Sequence, residues 1–333
     1  MPVLRMTVSK LLTDEEISKM EGDYVDERHY AQIINQDTDV YTEDGSLLLK
    51  FRKSVIPKQL TSDAVEAYRT VAMKRHDNRG PSAGPLEKTR LPSYVGKLVN
   101  PGKYRTHYIQ AKGGKLSKHN VSNLSPSNIV GYFDKKDRNL PNGPPCRLTA
   151  FSSKNFEKWS SSIPFLQHID GLFRELVPDR YRVQKEYAEE CGEEFTIPNT
   201  CFSTVTVNYS WRTGLHKDRG DLETGFGNLV VCEDNLNPNH YHGCYTGFPQ
   251  YGICVDVRDG DFLAMNVHEW HCNTEFRAAK DKETSATLVS KEKPKLSFKP
   301  IEIENHWHFN RMSVVCYLRK NMIHCRRKMQ QHI

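Results

Sequence analysis

Apolar and polar positions fall into two textures along the chain. Before residue 198 several stretches carry apolar residues at helical spacing. After it they come in short β-branched or aromatic runs separated by turn residues. Ser62–Lys74 (SDAVEAYRTVAMK) is amphipathic, with capping hydroxyls close by, and predicts a helix. Ser9–Met20 predicts a shorter one. Phe156–Leu176 predicts a helix broken near Pro164 and ended by Pro178, and Asp179–Glu190 a further helix. Ser46–Phe51, Thr200–Val207, Gly227–Cys232, Gly252–Val257, Asp261–Ala264 and Ser313–Leu318 predict strands. Asn78–Leu86 reads as a Gly/Pro loop, and Val95–Asn142, polar and without a long period, as short elements and loops. Helices ahead of a β core predict the α+β class, and the strand spacing predicts a barrel or jelly roll. The expected division is an N-terminal helical and basic region over residues 1–144, packed on a β core over 145–333. A charged insertion at 278–300 (Ala278–Pro300) interrupts that core.

Composition narrows the class. With 333 residues, 37% hydrophobic and 26% charged, the chain can bury a substantial core. No apolar run approaches the ~18–20 residues of a membrane span, so no membrane partner is expected. The opening residues turn acidic too early for a secretory signal. Nine scattered cysteines without a Cys-x-x-Cys pair argue against a disulfide framework or a zinc cluster. They read as small buried hydrophobes in a reducing compartment. The net charge of +6 hides an asymmetry. Residues 71–154 hold 16 Lys and Arg against 4 Asp and Glu, so the remainder is acidic. Tyr94, Tyr104, Tyr108, Tyr132 and Phe133 interleave with those cations, which fits a surface contacting nucleic-acid phosphates.

The chemistry is carried by Thr206–Glu233. His216 and Asp218 stand two residues apart at a strand end, where i and i+2 share a face. An imidazole and a carboxylate with one more His would form the ligand face of oxygen-activating non-haem iron enzymes. A second His-x-Asp, His168 and Asp170, falls inside a predicted helix. There i and i+2 point about 200° apart, so this pair cannot share a metal. The third ligand is expected from His268-Glu269-Trp270-His271, with His271 preferred and His268 the alternative. A co-substrate carboxylate would need a buried cation. Arg311, opening a clear strand, is the first candidate and Arg277 the second.

Together these residues resemble the TET/JBP family of Fe(II)- and 2-oxoglutarate-dependent nucleic-acid-base dioxygenases. Four pieces carry the likeness: Thr204–Asn208 with Arg212-Thr213 and His216–Asp221; Gly225–Val231; His268–Thr274; and Arg311–Tyr317, an Arg-x-Ser-x-Val-x-Tyr strand. The likeness covers roughly residues 145–320. It implies a double-stranded β-helix (jelly-roll) core flanked by helices. It implies iron on His216, Asp218 and His271, the 2-oxoglutarate carboxylate on Arg311, Asn208 near the co-substrate, and O2 as oxidant. The activity it implies is oxidation of the 5-methyl group of thymine or 5-methylcytosine in DNA. An algal branch instead uses ascorbate to transfer a glyceryl group to 5-methylcytosine, and Asp221 matches an acidic position of that branch. A hydroxylase of a protein or small molecule is the remaining alternative. The 40 residues separating His271 from Arg311 exceed the family's usual spacing, which the insertion would explain.

A methyl group inside a duplex cannot reach a buried iron, so the base must be flipped into the pocket. Tyr209, Trp211 and Trp270 are the expected stacking or wall residues. Lys112, Lys115, Lys118, Lys135 and Lys136 are expected to hold the DNA backbone. No obligate protein partner is implied. The expected location is the nucleus for a cellular eukaryotic protein, or the infected host for a viral one.

Overall fold

The structure is a computed structural model describing residues 2–91, 97–99, 104–112, 115–135, 146–233, 241–278 and 311–330. The lysine at 136 and nearly all of the 278–300 insertion lie outside these residues. The class is α+β. One large mixed sheet runs in the order Leu4–Val8, Thr38–Thr42, Leu47–Arg52, Phe262–Met265, Gly227–Glu233, Arg311–Tyr317, Thr204–Tyr209, Ser125–Phe133, Arg147–Leu148. A smaller sheet, Cys272–Asn273, Thr246–Phe248, Ile253–Val255, Gln32–Ile34, contributes to the core across from it.

Period-two alternation sorts the central strands. Val205, Val207, Val230, Met312, Val314 and Cys316 are fully or almost fully buried under a helical layer. That layer is Lys58–Ala72, Phe156–Ser161, Ile163–Leu176 and Pro178–Cys191. Tyr68, Phe165, Phe173 and Phe202 fill the seam, each completely buried. Alternate residues Leu229, Val231, Leu263 and Met265 face the smaller sheet and meet Phe248, Ile253 and Val255. On this second face, toward one end of the large sheet, the side chains turn polar, and there the cavity opens.

Several expectations need adjustment. The first helix is only Asp14–Ser18, because Thr13 and Glu16 form a reciprocal capping box that fixes a later start. Residues before 145 do not merely pack on a β core. They build it, supplying Leu4–Val8, Thr38–Thr42, Leu47–Arg52 and Ser125–Phe133 to the large sheet and Gln32–Ile34 to the small one. Val95–Asn142 is not mostly loop. It holds the hairpin Arg105–Lys112/Lys115–Ser122 and the nine-residue strand Ser125–Phe133. That strand hides from a hydrophobicity pattern because part of its buried face carries Ser125, Ser127 and Asn128. Seven cysteines are free and buried, as small hydrophobes would be, but Cys146 and Cys325 are joined by a disulfide across 179 residues. No helix of the described residues is long and apolar enough to cross a membrane.

Gly227 ties the sheet to the loop chemistry. A Cβ there would lie 2.3 Å from Val267 Cγ1, and the Val267 carbonyl accepts the Asp218 N–H at 3.0 Å. Gly227→Ala is expected to destabilise the protein by about 1–3 kcal/mol by overpacking, and to loosen the Asp218 loop with it. Chemical denaturation would measure the first effect and Mn(II) titration the second; a variant with unchanged stability and metal affinity would contradict this packing.

Candidate metal centre and its cavity

His216 and His271 lie on different segments joined by a reciprocal backbone bridge. Each N–H donates to the other's carbonyl at 3.0 Å. Their rings stand 4.3 Å apart between centroids, tilted by 48°. Asp218 completes the group, with Oδ1 at 3.6 Å from His216 Nε2 and Oδ2 at 3.7 Å from His271 Nε2. Ligand-capable atoms of all three lie within 4.8 Å of one another.

The tautomers follow from the neighbours. His216 Nδ1 sits 2.8 Å from the Gly214 carbonyl and His271 Nδ1 2.9 Å from the Glu269 carbonyl. A carbonyl can only accept, so each Nδ1 carries the proton and each Nε2 presents a lone pair to the common point. Burial, and then the His271 ring beside it, push the His216 pKa down to about 4, against the upward pull of Asp218. At neutral pH His216 is therefore the uncharged ligand form. Two imidazole nitrogens and a carboxylate, with Asp218 about one-third exposed (34%), suit a divalent transition metal with an open side.

His268 takes no part: its Nε2 lies 3.0 Å from the Leu222 carbonyl. His168 lies 3.1 Å from the Val55 carbonyl, and Asp170 accepts from Cys201 N and Tyr181. Both groups of the rejected pair are structural.

The three ligand candidates line a cavity of about 320 Å³, at the small end of small-molecule sites. Its floor comes from three adjacent strands. Ser127, Asn208 and Ser313 are in register across them. Ser127 Oγ donates to Asn208 Oδ1 at 2.5 Å, and Asn208 Nδ2 donates to Ser313 Oγ at 3.1 Å. Thr206 and Tyr317 continue the floor, their hydroxyls 3.2 Å apart. Trp211, Leu229 and Met265 form apolar wall, while Arg79, Arg219, Asp221 and Arg319 ring the charged side. Burial, and then the Asp218 charge, raise the Asp221 pKa well above the usual carboxylate range, against Arg319 and Lys320.

The structure splits the expected wall residues. Trp211 lines the cavity, but Tyr209 and Trp270 do not. Tyr209 follows Asn208, and strand alternation turns it to the opposite face, into the helix-covered core. Trp270 packs with Ile17, Val25 and Leu215 against the N-terminal segment. Both aromatics are core, which corrects the expectation. Lys112, Lys115 and Lys118 lie on hairpin strands whose side chains are outside the described residues, as is the side chain of Arg277. Ser127, Ser313 and Arg79 were missed by sequence reasoning. Ser313 had a visible signal, two residues beyond Arg311 on one strand face; Arg79, in a Gly/Pro loop, had none.

Arg311 is 3% exposed and stands on the same strand face as Ser313, one step past the cavity lining. Glu233 pairs with it across the sheet, and Tyr241 hydrogen-bonds it. Tyr241 also donates to Glu233, whose Oε1 lies 3.6 Å from Arg258 Nε. Glu233 thus lies between the guanidinium groups of Arg311 and Arg258, and Asp256 lies 4.0 Å from Arg258 on its other side. Arg311 Nε and Nη2 are buried with no hydrogen-bond partner among the described residues. A buried donor left unpaired costs roughly 1–3 kcal/mol, so these two N–H groups suit an incoming carboxylate.

The chain belongs to the family described as the oxygenase domain of the 2OGFeDO superfamily (Tet_JBP), whose model matches residues 128–320. It is thus an enzyme of the Fe(II)/2-oxoglutarate dioxygenase class. It is 32% identical over 228 residues to thymine dioxygenase JBP1 of Trypanosoma brucei brucei, covering 67% of this chain and 25% of that protein. It is 29% identical over 207 residues to the bifunctional helicase and thymine dioxygenase JBP2 of Leishmania braziliensis, covering 62% and 16%. The chain therefore spans a quarter or less of these relatives' length. Among solved structures, NgTET1 in complex with 5mC DNA aligns over 96% of this chain and 99% of that one, at 13% identity and a TM-score of 0.48.

Two outcomes are expected. First, His271→Ala should weaken Mn(II) binding by more than the ~10–100-fold typical of residues that only support a ligand, and His268→Ala should leave it within about threefold; calorimetric titration separates them. Second, the metal-free protein should lose stability on acidification. The unfolded chain takes up a proton on His216 near its ordinary pKa of 6.5, while the folded state resists until about 4. Unfolding free energy should therefore fall as pH drops from about 6.5 toward 4, and His216→Gln should flatten that slope.

Proposed function

We propose that this protein hydroxylates the 5-methyl group of a DNA pyrimidine, thymine or 5-methylcytosine, using Fe(II), 2-oxoglutarate and O2. The observation that carries this reading is the convergence of His216, Asp218 and His271 on the wall of a partly polar cavity, in a chain of this oxygenase family. The two facing sheets are read as the family's double-stranded β-helix. Iron would rest on the two Nε2 atoms and Asp218. The 2-oxoglutarate side chain would run toward the unpaired N–H groups of Arg311, with Ser313 alongside. Ser313 Oγ already accepts from Asn208, which leaves its own proton for a co-substrate oxygen.

Fe(II) with 2-oxoglutarate and O2 would supply the oxidising power to hydroxylate the methyl C–H bond. The protein supplies position and a dry pocket. Asn208, braced by Ser127, keeps a fixed orientation on the floor. Trp211, Leu229 and Met265 exclude water from one side. Extruding the base from the duplex costs a few kcal/mol, recovered by stacking and edge contacts in the cavity. Thymine is supported as a target by the named activity of the trypanosomatid relatives, and 5-methylcytosine by the breadth of the family.

A second reading, ascorbate-dependent glyceryl transfer to 5-methylcytosine, draws on one observation: Asp221 lines the cavity and is 7% exposed. One experiment separates these readings. Duplexes with and without 5-methylcytosine are incubated with Fe(II) and either 2-oxoglutarate or ascorbate, and the nucleosides analysed by mass spectrometry. Hydroxymethyl products with 2-oxoglutarate support the proposal, a glyceryl adduct with ascorbate supports the second reading, and an unmodified duplex in every arm rejects both. Asp218→Ala should abolish product while leaving duplex affinity within about twofold. Arg311→Met should raise KM for 2-oxoglutarate roughly 10–100-fold, the worth of a charge-assisted hydrogen bond.

A further inference from the structure

At the charged rim of the cavity, three cations gather on one ring. Phe133 ends the strand Ser125–Phe133, and Arg147 pairs with it across the sheet. Arg319 follows the strand Arg311–Tyr317 and also lines the cavity. The guanidinium carbons of Arg319 and Arg147 lie 5.1 and 5.9 Å from the Phe133 centroid, and Lys135 Nζ lies 5.7 Å from it. Cation–π attraction holds each cation over the ring face. With a Debye length of ~8 Å the mutual repulsion of these cations is only partly screened. Asp134 is their carboxylate, 3.0 Å from Arg319 Nε, so the group keeps an excess of two positive charges. Arg147 gives one N–H to the Leu148 carbonyl at 3.3 Å, while its Nε is buried with no partner among the described residues.

A cluster of two guanidinium groups and an ammonium with excess positive charge is built for an anion with several acceptor oxygens. Its place names the anion. Arg319 belongs at once to the cavity lining and to the cluster, so whatever enters the cavity trails past Phe133. For a flipped nucleotide that trailing part is its own phosphodiester. We propose that Arg147, Lys135 and Arg319, gathered on Phe133, form a phosphodiester clamp that holds the backbone of the nucleotide whose base occupies the cavity. This rests on the reading of DNA as substrate.

The test uses the full chain with Mn(II) in place of iron. Fluorescence anisotropy of a labelled methylated duplex is followed across a salt series for wild type, Arg147→Gln, Lys135→Gln and the double variant. Each single substitution should lower the slope of log K against log salt by about one, and the double variant by about two. Affinity should fall equally for methylated and unmethylated duplex. Unchanged melting temperature and Mn(II) affinity certify the fold; should Arg147→Gln misfold, exposed Lys135→Gln still reports. Variants that bind duplex with the wild-type slope overturn the clamp and leave the DNA reading intact. A wild type that binds no duplex at any salt overturns both. Inorganic phosphate competing as well as duplex, phosphate for phosphate, overturns the nucleic-acid assignment and marks a free-anion site.

Discussion

The reciprocal pair of backbone hydrogen bonds between His216 and His271 is the constraint on which the site depends. Side-chain ligands on separate loops would sample many separations. A bridge closed in both directions fixes the two Cα atoms relative to each other, and the Gly214 and Glu269 carbonyls then fix each ring. Asp218 is placed by a third backbone bond, its N–H to the Val267 carbonyl. The face formed by these three side chains is thus set by main chain, an arrangement that would remove ordering entropy from a metal-binding step. The loop bearing His216 is held from behind by the N-terminal region: Gly214 N–H reaches the Ser82 carbonyl, and Leu215 N–H that of Asp23. A side chain at Gly214 would strike the Pro81 carbonyl at 2.8 Å, so this close approach requires glycine.

Much of this was legible in the sequence, for definite reasons. The i, i+2 spacing of His216 and Asp218 is meaningful only on extended backbone, and the same spacing at His168 and Asp170 was discounted by its helical context. The core strands after residue 200 showed through β-branched runs whose two faces are both covered. Arg311 stood out as a cation opening such a run. What stayed hidden is polar. Ser125–Phe133 places hydroxyl and amide side chains where an apolar alternation would otherwise have marked the strand. Tyr209 was misread because proximity to the metal segment was weighed above the face its register assigns. Arg79 and the tie from Gly214 to Ser82 are long-range, and no local pattern encodes them.

The strand Arg311–Tyr317 lays out the division of labour along one line. At ~3.3 Å per residue, its six steps span about 20 Å. At its start Arg311 has Nε and Nη2 without a hydrogen-bond partner among the described residues, donors that suit a carboxylate. Two residues on, Ser313 joins the floor network; two more, Val315 gives an apolar patch; then Tyr317 reaches the rim beside Asp221 and Arg319. Ser313, Val315 and Tyr317 face the cavity and Arg311 lies one step beyond its lining on the same strand face, the order in which the proposed reading would seat co-substrate and substrate. Ser125–Phe133, one strand further along the sheet beyond Thr204–Tyr209, repeats the gradient, with Ser127 on the floor and Phe133 under the cations.

Part of the basic stretch of residues 71–154 is built into the large sheet itself. Its strand Ser125–Phe133 pairs directly with Thr204–Tyr209, and Arg79 from the same stretch reaches the cavity near Asp218 and Tyr317. Removing the stretch would strip the floor of Ser127, leave Asn208 without its brace, and expose an edge of the sheet next to the metal ligands. Truncation at residue 145 would therefore remove cavity floor together with the basic stretch, whereas point substitution, charge by charge, at positions that touch the rim leaves the floor in place.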